Sequence, residues 1–254
     1  MNKGLVDLAE LRKRKNQADY EGKSSYCFKV GNKVLKIYAR KEDKGLFIPL
    51  DTSKISDFSM FSADTIAFPE KYFYENGIKA GEIIPYINGK RLDNAINNGV
   101  IINFMINSYE KVIEDLFLYS NINMKDLCYV NILYSNRNGF HIIDTTEWIF
   151  EDNCMKKNKY FFDLSIINIL NEYLLIPYCQ HGGVLKIDND FLNNMNKYGH
   201  AGIKLADNFI LIDENKYDFL SFIFAYLDVY RIHYGEDAKT LKDVKELTKV
   251  LKKG

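Results

Sequence analysis

Asp126, Asn131 and Asp144 are residues of the types that bind a hard cation and handle a proton, and their spacing lets them meet. From Asn131 the chain reads Asn131-Ile132-Leu133-Tyr134, then Ser135-Asn136-Arg137-Asn138, then Gly139-Phe140-His141-Ile142-Ile143. Two β-prone runs flank a stretch of turn formers, so the segment reads as a hairpin. A hairpin sets Asn131, at the start of one strand, beside Asp144 at the end of the other. An amide oxygen and a carboxylate converging there suit Mg²⁺, which takes oxygen ligands and prefers substrate phosphates for the rest. Asp126, on the loop leading in, faces the same spot as a base or an orienting group. The bland alternative is an ordinary surface hairpin.

The rest of the chain must position that stretch, and its composition says what kind of protein does so. At 254 residues, 47% hydrophobic and 14% aromatic, it is long and apolar enough to bury a substantial core and is not disordered. Lys plus Arg and Asp plus Glu balance at 34 each, so nothing points to a nucleic-acid or anionic-membrane surface. No charged-then-apolar leader stands at the start, and no apolar run approaches the ~18 residues of a spanning helix. Cys27, Cys128, Cys154 and Cys179 lie far apart with no C-x-x-C pair, which reads as reduced thiols of a cytoplasmic protein. His141, His181, His200 and His233 have no metal-ligand spacing.

In chain order, residues 4–16 place Leu5, Leu8 and Leu11 at helical spacing, with Arg12 to Lys15 as a basic end. Tyr20 to Val30, a Gly31-Asn32 turn and Lys33 to Tyr38 read as antiparallel strands. Gly22-Lys23-Ser24 echoes a phosphate-binding P-loop, but Gln17 sits where that motif requires glycine, and the P-loop is rejected. Phe68 to Glu75, Asn76-Gly77 and Lys79 to Ile87 form a second hairpin signal, and Asn88 to Asp93 reads as a linker into a helix. Val100 to Ser120 is a long helix, Glu151 to Lys159 a polar connection, and Tyr160 onward a buried helix with Asp163 near its start. Further helices follow, including Phe219 to Tyr230 and a final amphipathic one through Leu241, Val244, Leu247 and Leu251.

On these residues the chain resembles the protein kinase-like superfamily. The kinase signatures H-R-D-L-x-x-x-N and D-F-G stand here as Met124-Lys125-Asp126-Leu127, Asn131 and Asp144-Thr145-Thr146. The run from Asp126 through Asn131-Ile132-Leu133 also looks like that of aminoglycoside and choline phosphotransferases. Met124 replaces the histidine and Thr146 the glycine.

The resemblance implies an α+β, bilobal protein kinase-like fold in one domain over 1–254. Residues 1–87 would hold an antiparallel sheet and 88–254 a mainly helical lobe. It implies ATP and Mg²⁺, with Asp126 catalytic, Asn131 and Asp144 on the metal, and Lys36 on the phosphates. Gly22, Ser24 and Ser25 would form the phosphate-covering turn. Ile84 would back the pocket, and Ile87 would offer backbone groups to the adenine.

The family's lysine pairs with a glutamate on a nearby helix. Glu42, Asp51 and Asp57 are candidates in the segment where it should lie, and none sits convincingly in a helix, which leaves the partner open. Asp163 matches the helical aspartate that braces the catalytic loop. The acceptor would be a hydroxyl on a small molecule in preference to a protein, because little chain separates Asp144 from Asp163. Asp188, Asp190, Asp207 and Glu214 are candidates for a cationic acceptor's pocket. A nucleotide-binding scaffold without turnover is the alternative.

Overall fold

The structure, a computed structural model, describes residues 8–40, 50–97, 102–170, 203–206 and 209–212. A short helix, α1 (Leu8–Lys13), precedes three strands: β1 (Tyr20–Glu21), β2 (Ser25–Val30) and β3 (Lys33–Tyr38). Gly31, at φ 61°, turns β2 into β3 and sets Val30 opposite Lys33. Strands β4 (Lys71–Glu75) and β5 (Ile78–Pro85) meet at Asn76-Gly77, both with positive φ, the conformation a two-residue primed turn demands. The five strands form one antiparallel sheet in the order β1-β2-β3-β5-β4.

Alternation divides that sheet into two unlike faces. Tyr26, Phe28, Leu35 and Ile37 make a buried cluster on one, joined by Leu11 of α1, Ala18, Phe73 and Ile83. Arg12 anchors α1 by donating to the Tyr38 carbonyl (3.1 Å) and by pairing with Glu75 (3.5 Å). Tyr38, Ile55 and Tyr72 pack on the other face, the one that also carries Lys36 and Glu82. Gly81 lets β5 approach: a Cβ there would lie 2.4 Å from the Lys36 carbonyl oxygen.

Past the sheet, β6 (Lys90–Arg91) leads into α2 (Leu92–Asn97) and α3 (Ile102–Leu118). Strand β7 (Ile122–Asn123) opens the loop that carries Asp126, and the expected hairpin follows as β8 (Ile132–Ser135) and β9 (Gly139–Ile142). β6 pairs with β8, so the linker is bonded to the hairpin it leads toward. Ala67 and Thr65 exchange backbone bonds with Ile142 (2.9 and 2.7 Å), and Asp115 of α3 accepts from the Thr65 amide and hydroxyl. The aromatic segment before β4 is thus stitched to the hairpin. Strand β10 (Ile149–Phe150) pairs back onto β7 before α4 (Met155–Leu170).

Two expectations are corrected. The buried helix starts at Met155, not Tyr160, so Asp163 lies mid-helix, fully buried, rather than near a helix start. The polar run Met155–Lys159 misleads because one of its polar side chains, Asn158, points inward to a specific bonding role. In the region expected to be helical throughout, β11 (Ile203–Ala206) and β12 (Phe209–Ile212) form an antiparallel ladder. Ile and Leu flanking a two-residue Asp207-Asn208 link is the pattern of a short hairpin, and helical periodicity in the neighbouring sequence hides it. The helices expected at Phe219–Tyr230 and through Leu251, and Asp188, Asp190, Asp207, Glu214, Cys179, His181, His200 and His233, lie outside the described residues.

Candidate active site

Lys36 stands at the centre of the polar cluster. Strand alternation turns it to the face shared with Tyr38, and its side chain is 4% exposed. Its ammonium donates to Asp144 Oδ1 and to Thr146 Oγ1 (2.5 Å), and stands 3.4 Å from Glu82 Oε1. Glu82 is the cross-strand neighbour of Lys36 on β5 and is wholly buried. Burial alone disfavours the lysine's charge, but Asp144 and Glu82 together outweigh it and hold its pKa above the ordinary lysine value.

The acids around it respond in opposite directions. Burial works against the charged form of Asp144, but Lys36 and the Thr146 hydroxyl prevail and its pKa is lowered. Burial dominates at Glu82, where the lysine's pull is too weak to offset it, and the carboxyl is raised. Cys27, opposite Lys36 on β2, is pushed up to about 11 by its own burial.

Thr146 takes on a positive role here. Where the kinase signature has glycine, its hydroxyl donates to Asp144 Oδ1 (2.6 Å) while receiving Lys36. One oxygen of Asp144 is therefore bound inside the cluster, and no such bond is made by Oδ2. Trp148, buried four residues after Asp144, packs edge-on to Phe58 and Phe68 at 6.3 and 6.1 Å between centroids. That aromatic wall holds the segment after Asp144 against the sheet.

The second half of the site is the loop from Met124 to Asn131. Asp126 is exposed and takes a positive φ of 57°, and Asp144 takes 66°. Two of the four non-glycine residues with positive φ among the described residues are thus site aspartates, which fits the concentration of such backbone at functional positions. Asn131 donates its side-chain amide to the Asp126 carbonyl oxygen (2.9 Å) and carboxylate (3.1 Å). Its nitrogen donates there, which leaves the amide oxygen as the atom a ligand would meet. The Asn131 carbonyl accepts from Ile143 (2.9 Å), which brings Asn131 beside the residue preceding Asp144. An amide oxygen plus one free carboxylate oxygen fit a cation such as Mg²⁺ that completes its shell with phosphate and water. Among the described residues no group of three or more His, Cys, Asp or Glu forms a cage of its own.

The loop's backbone is held from α4 by side chains that sequence reasoning passed over. Asn158 accepts from the Met124 amide (3.0 Å) and donates to the Ile122 carbonyl (2.7 Å). The Ser165 hydroxyl reaches the Leu127 carbonyl (3.4 Å). Asp163, to which the bracing role was assigned, accepts from Tyr109 (2.7 Å) and Lys159 (2.6 Å), tying α4 to α3. Met124, in place of the signature histidine, is a buried apolar support.

Gly22, Ser24, Ser25, Ile84 and Ile87 lie on or beside the five-stranded sheet. Gly22 closes a tight turn by donating to the Ser25 carbonyl (2.8 Å), so its amide is already engaged, and the Ser24 carbonyl accepts from Ala39. Ser25 is buried and Ser24 half-buried. Ile84 pairs with Val34 and shares the face of Glu82. Ile87's carbonyl accepts from Gly89 (3.0 Å), whereas Tyr86 donates to Asn32 (2.9 Å). A cavity of about 440 Å³ borders Tyr86 and Ile87 with Asp64, Lys111, Arg137 and His141, and none of Lys36, Asp126, Asn131 or Asp144 lines it. The polar cluster stands apart from that cavity's lining.

A five-stranded sheet carrying a buried lysine is thus followed by a linker, a long helix and an Asp–Asn–hairpin–Asp unit. Solved structures similar to the chain include WbdD in co-crystal with the kinase inhibitor LY294002, at 10% identity and a TM-score of 0.42 over 84% of this chain and 45% of that one. The PK-1 kinase of Cydia pomonella granulovirus is similar at 14% identity and a TM-score of 0.38, covering 56% and 57%. The observed element order is the one the sequence resemblance implies: an antiparallel sheet, then a linker, a long helix and a strand hairpin. The chain spans about half the length of these two structures. No family model matches it, and no curated protein does. The described residues between the lysine strand and β4 contain only a 3₁₀ turn, Thr52–Lys54, and no α-helix.

Proposed function

We propose that the chain is a single kinase-like domain, divided near Ile87, that transfers the γ-phosphoryl group of ATP to a hydroxyl. The observation that carries this reading is the joining of Lys36, Asp144 and Thr146 in one hydrogen-bonded cluster beside the Asp126–Asn131 pair. Phosphoryl transfer asks a protein mainly for positioning and charge, and these residues offer both. Lys36 binds phosphate oxygens. Asp126 accepts the proton of the acceptor hydroxyl as its oxygen bonds to phosphorus and the bond to ADP breaks. Asn131 and Asp144 would hold Mg²⁺, which neutralises phosphate charge.

The acceptor we favour is a small molecule. Ten residues, Thr145 to Cys154, connect Asp144 to α4, and β10 within them is already paired to β7. Little chain is left to hold an extended peptide. Among the described residues no helix is long and apolar enough to cross a membrane, and Cys27, Cys128 and Cys154 are free thiols, which supports a cytoplasmic setting. The tight Gly22–Ser25 turn favours one other reading, a nucleotide-binding scaffold without turnover.

Incubation with labelled ATP and a panel of amino alcohols, aminoglycosides and sugars, beside a generic protein substrate, separates these readings. Label on a small molecule, abolished by Asp126→Asn, is the expected result. Label on protein alone refutes the acceptor preference. Nucleotide binding with no transfer to any acceptor leaves the scaffold.

A further inference from the structure

We propose that Glu82 is the positioning residue of Lys36: carried on β5 directly opposite the lysine, it holds the ammonium at the phosphate site from within the sheet, without a helix. This rests on the phosphotransferase reading above.

Two described carboxylates of the segment before β4 are engaged elsewhere. Asp51 accepts from Ser53 (2.6 Å) and pairs with Lys54 (2.8 Å), both at the surface. Asp57 accepts from the Ser59 amide and hydroxyl (2.9 and 2.7 Å). Glu42 lies outside the described residues. Glu82, by contrast, has a side chain 1% exposed, stands 3.4 Å from the lysine, and neither of its oxygens makes a hydrogen bond of ordinary geometry. A buried carboxylate so placed has the lysine as its counter-charge, and Lys36 has two acids to choose between.

That arrangement has a use. When a cation takes Asp144, the lysine loses its closest anion, and a buried ammonium without a second anion beside it is free to swing away to water. Glu82, 3.4 Å away on the neighbouring strand, keeps it in place. The other groups facing Glu82 are Cys27 on β2, Tyr38 on β3, Tyr72 on β4 and Asp144, and none of them supplies a positive charge. Because β3 and β5 are hydrogen-bonded neighbours, the pair forms with the sheet itself and has no separately moving element to break it.

A double-mutant cycle on nucleotide affinity tests this, using the full chain and MgATP titrated by calorimetry. Glu82→Gln keeps the side-chain shape and removes the charge, and it is expected to weaken MgATP about tenfold, the size of one lost charge-assisted contact. In a Lys36→Met background the same change is expected to cost nothing further, because its effect runs through the lysine. Glu82→Asp, which keeps the charge one methylene farther back, is expected to fall between, and it carries the test alone should Glu82→Gln not fold.

Wild-type affinity in Glu82→Gln overturns the proposal. So does a loss that persists undiminished beside Lys36→Met, which marks a purely structural role. If the wild-type chain binds no nucleotide, the phosphotransferase reading falls and takes this inference with it, whereas wild-type binding with an indifferent Glu82 overturns the inference alone.

Discussion

The two halves of the site are built on different principles. On the sheet, Lys36 and Glu82 are almost completely buried and bound to each other by charge, with Asp144 and Thr146 completing the cluster. On the loop, Asp126 is exposed and Asn131 half-buried, and they are held by hydrogen bonds, some from α4 and some between themselves. Buried charges cost much to separate and so fix a position, whereas an exposed acid stays free to exchange a proton with a ligand. The sheet half is suited to gripping a nucleotide, and the loop half to the step that follows. Stability should therefore be concentrated in the first and reactivity in the second.

The largest effect should come from the sheet. Lys36→Met leaves Glu82 buried opposite an apolar side chain, and removing one partner of a buried ion pair costs roughly 3–5 kcal/mol. Urea denaturation should show that loss, and calorimetry a weakened but still measurable affinity for MgATP. A midpoint equal to wild type would remove the distinction between the halves.

Next comes the brace under the loop. Asn158→Ala strips partners from the Met124 amide and the Ile122 carbonyl, and unsatisfied buried groups cost about 1–3 kcal/mol. Its folded fraction should turn over more slowly while binding MgATP nearly as tightly as wild type. If affinity falls as far as turnover, the loop and the sheet are not separable.

A smaller effect lies in acid. Asp144 has its pKa lowered in the folded chain, so its contribution to stability is present above the ordinary carboxyl value of 3.8 and is lost as pH falls through the folded value. Glu82 is raised and titrates in the opposite sense, so the comparison must isolate Asp144. Thermal unfolding of wild type and Asp144→Asn should differ at pH 7 and converge as pH drops below about 4. A constant difference down to pH 3 would mean the carboxylate's charge does not stabilise the cluster.

The smallest change in stability is expected at the most reactive residue. Asp126→Asn keeps a side chain that tolerates left-handed backbone, and Tm should stay within about 2 °C while phosphoryl transfer is abolished.

Sequence patterns reveal these halves unequally. Local chemistry is easy to see: Asn76-Gly77 has the backbone freedom of its turn, and alternation about Lys36 points the lysine inward. The Asn131–Asp144 meeting follows from the turn formers between two β-prone runs. Glu82 was hidden because its partnership depends on which residue of β5 faces Lys36, and that register is a property of the assembled ladder. A charged residue inside the apolar run Ala80 to Ile84, balanced by one inside Val34 to Tyr38, was the available signal. Thr146 was judged by the family pattern as a departure, though its hydroxyl completes the cluster. Asn158 was hidden within a polar run whose other members gave no reason to single it out.

The central claim is that this cluster binds a nucleotide through a cation held by Asn131 and Asp144. Thermal unfolding with millimolar ATP, with and without Mg²⁺, addresses it most directly, since a ligand at 100 times its Kd stabilises by ~2.7 kcal/mol. A rise in Tm that requires both ATP and Mg²⁺ and disappears in Asp144→Ala is the expected result. No rise in the wild-type chain, or an equal rise without Mg²⁺, would contradict the account.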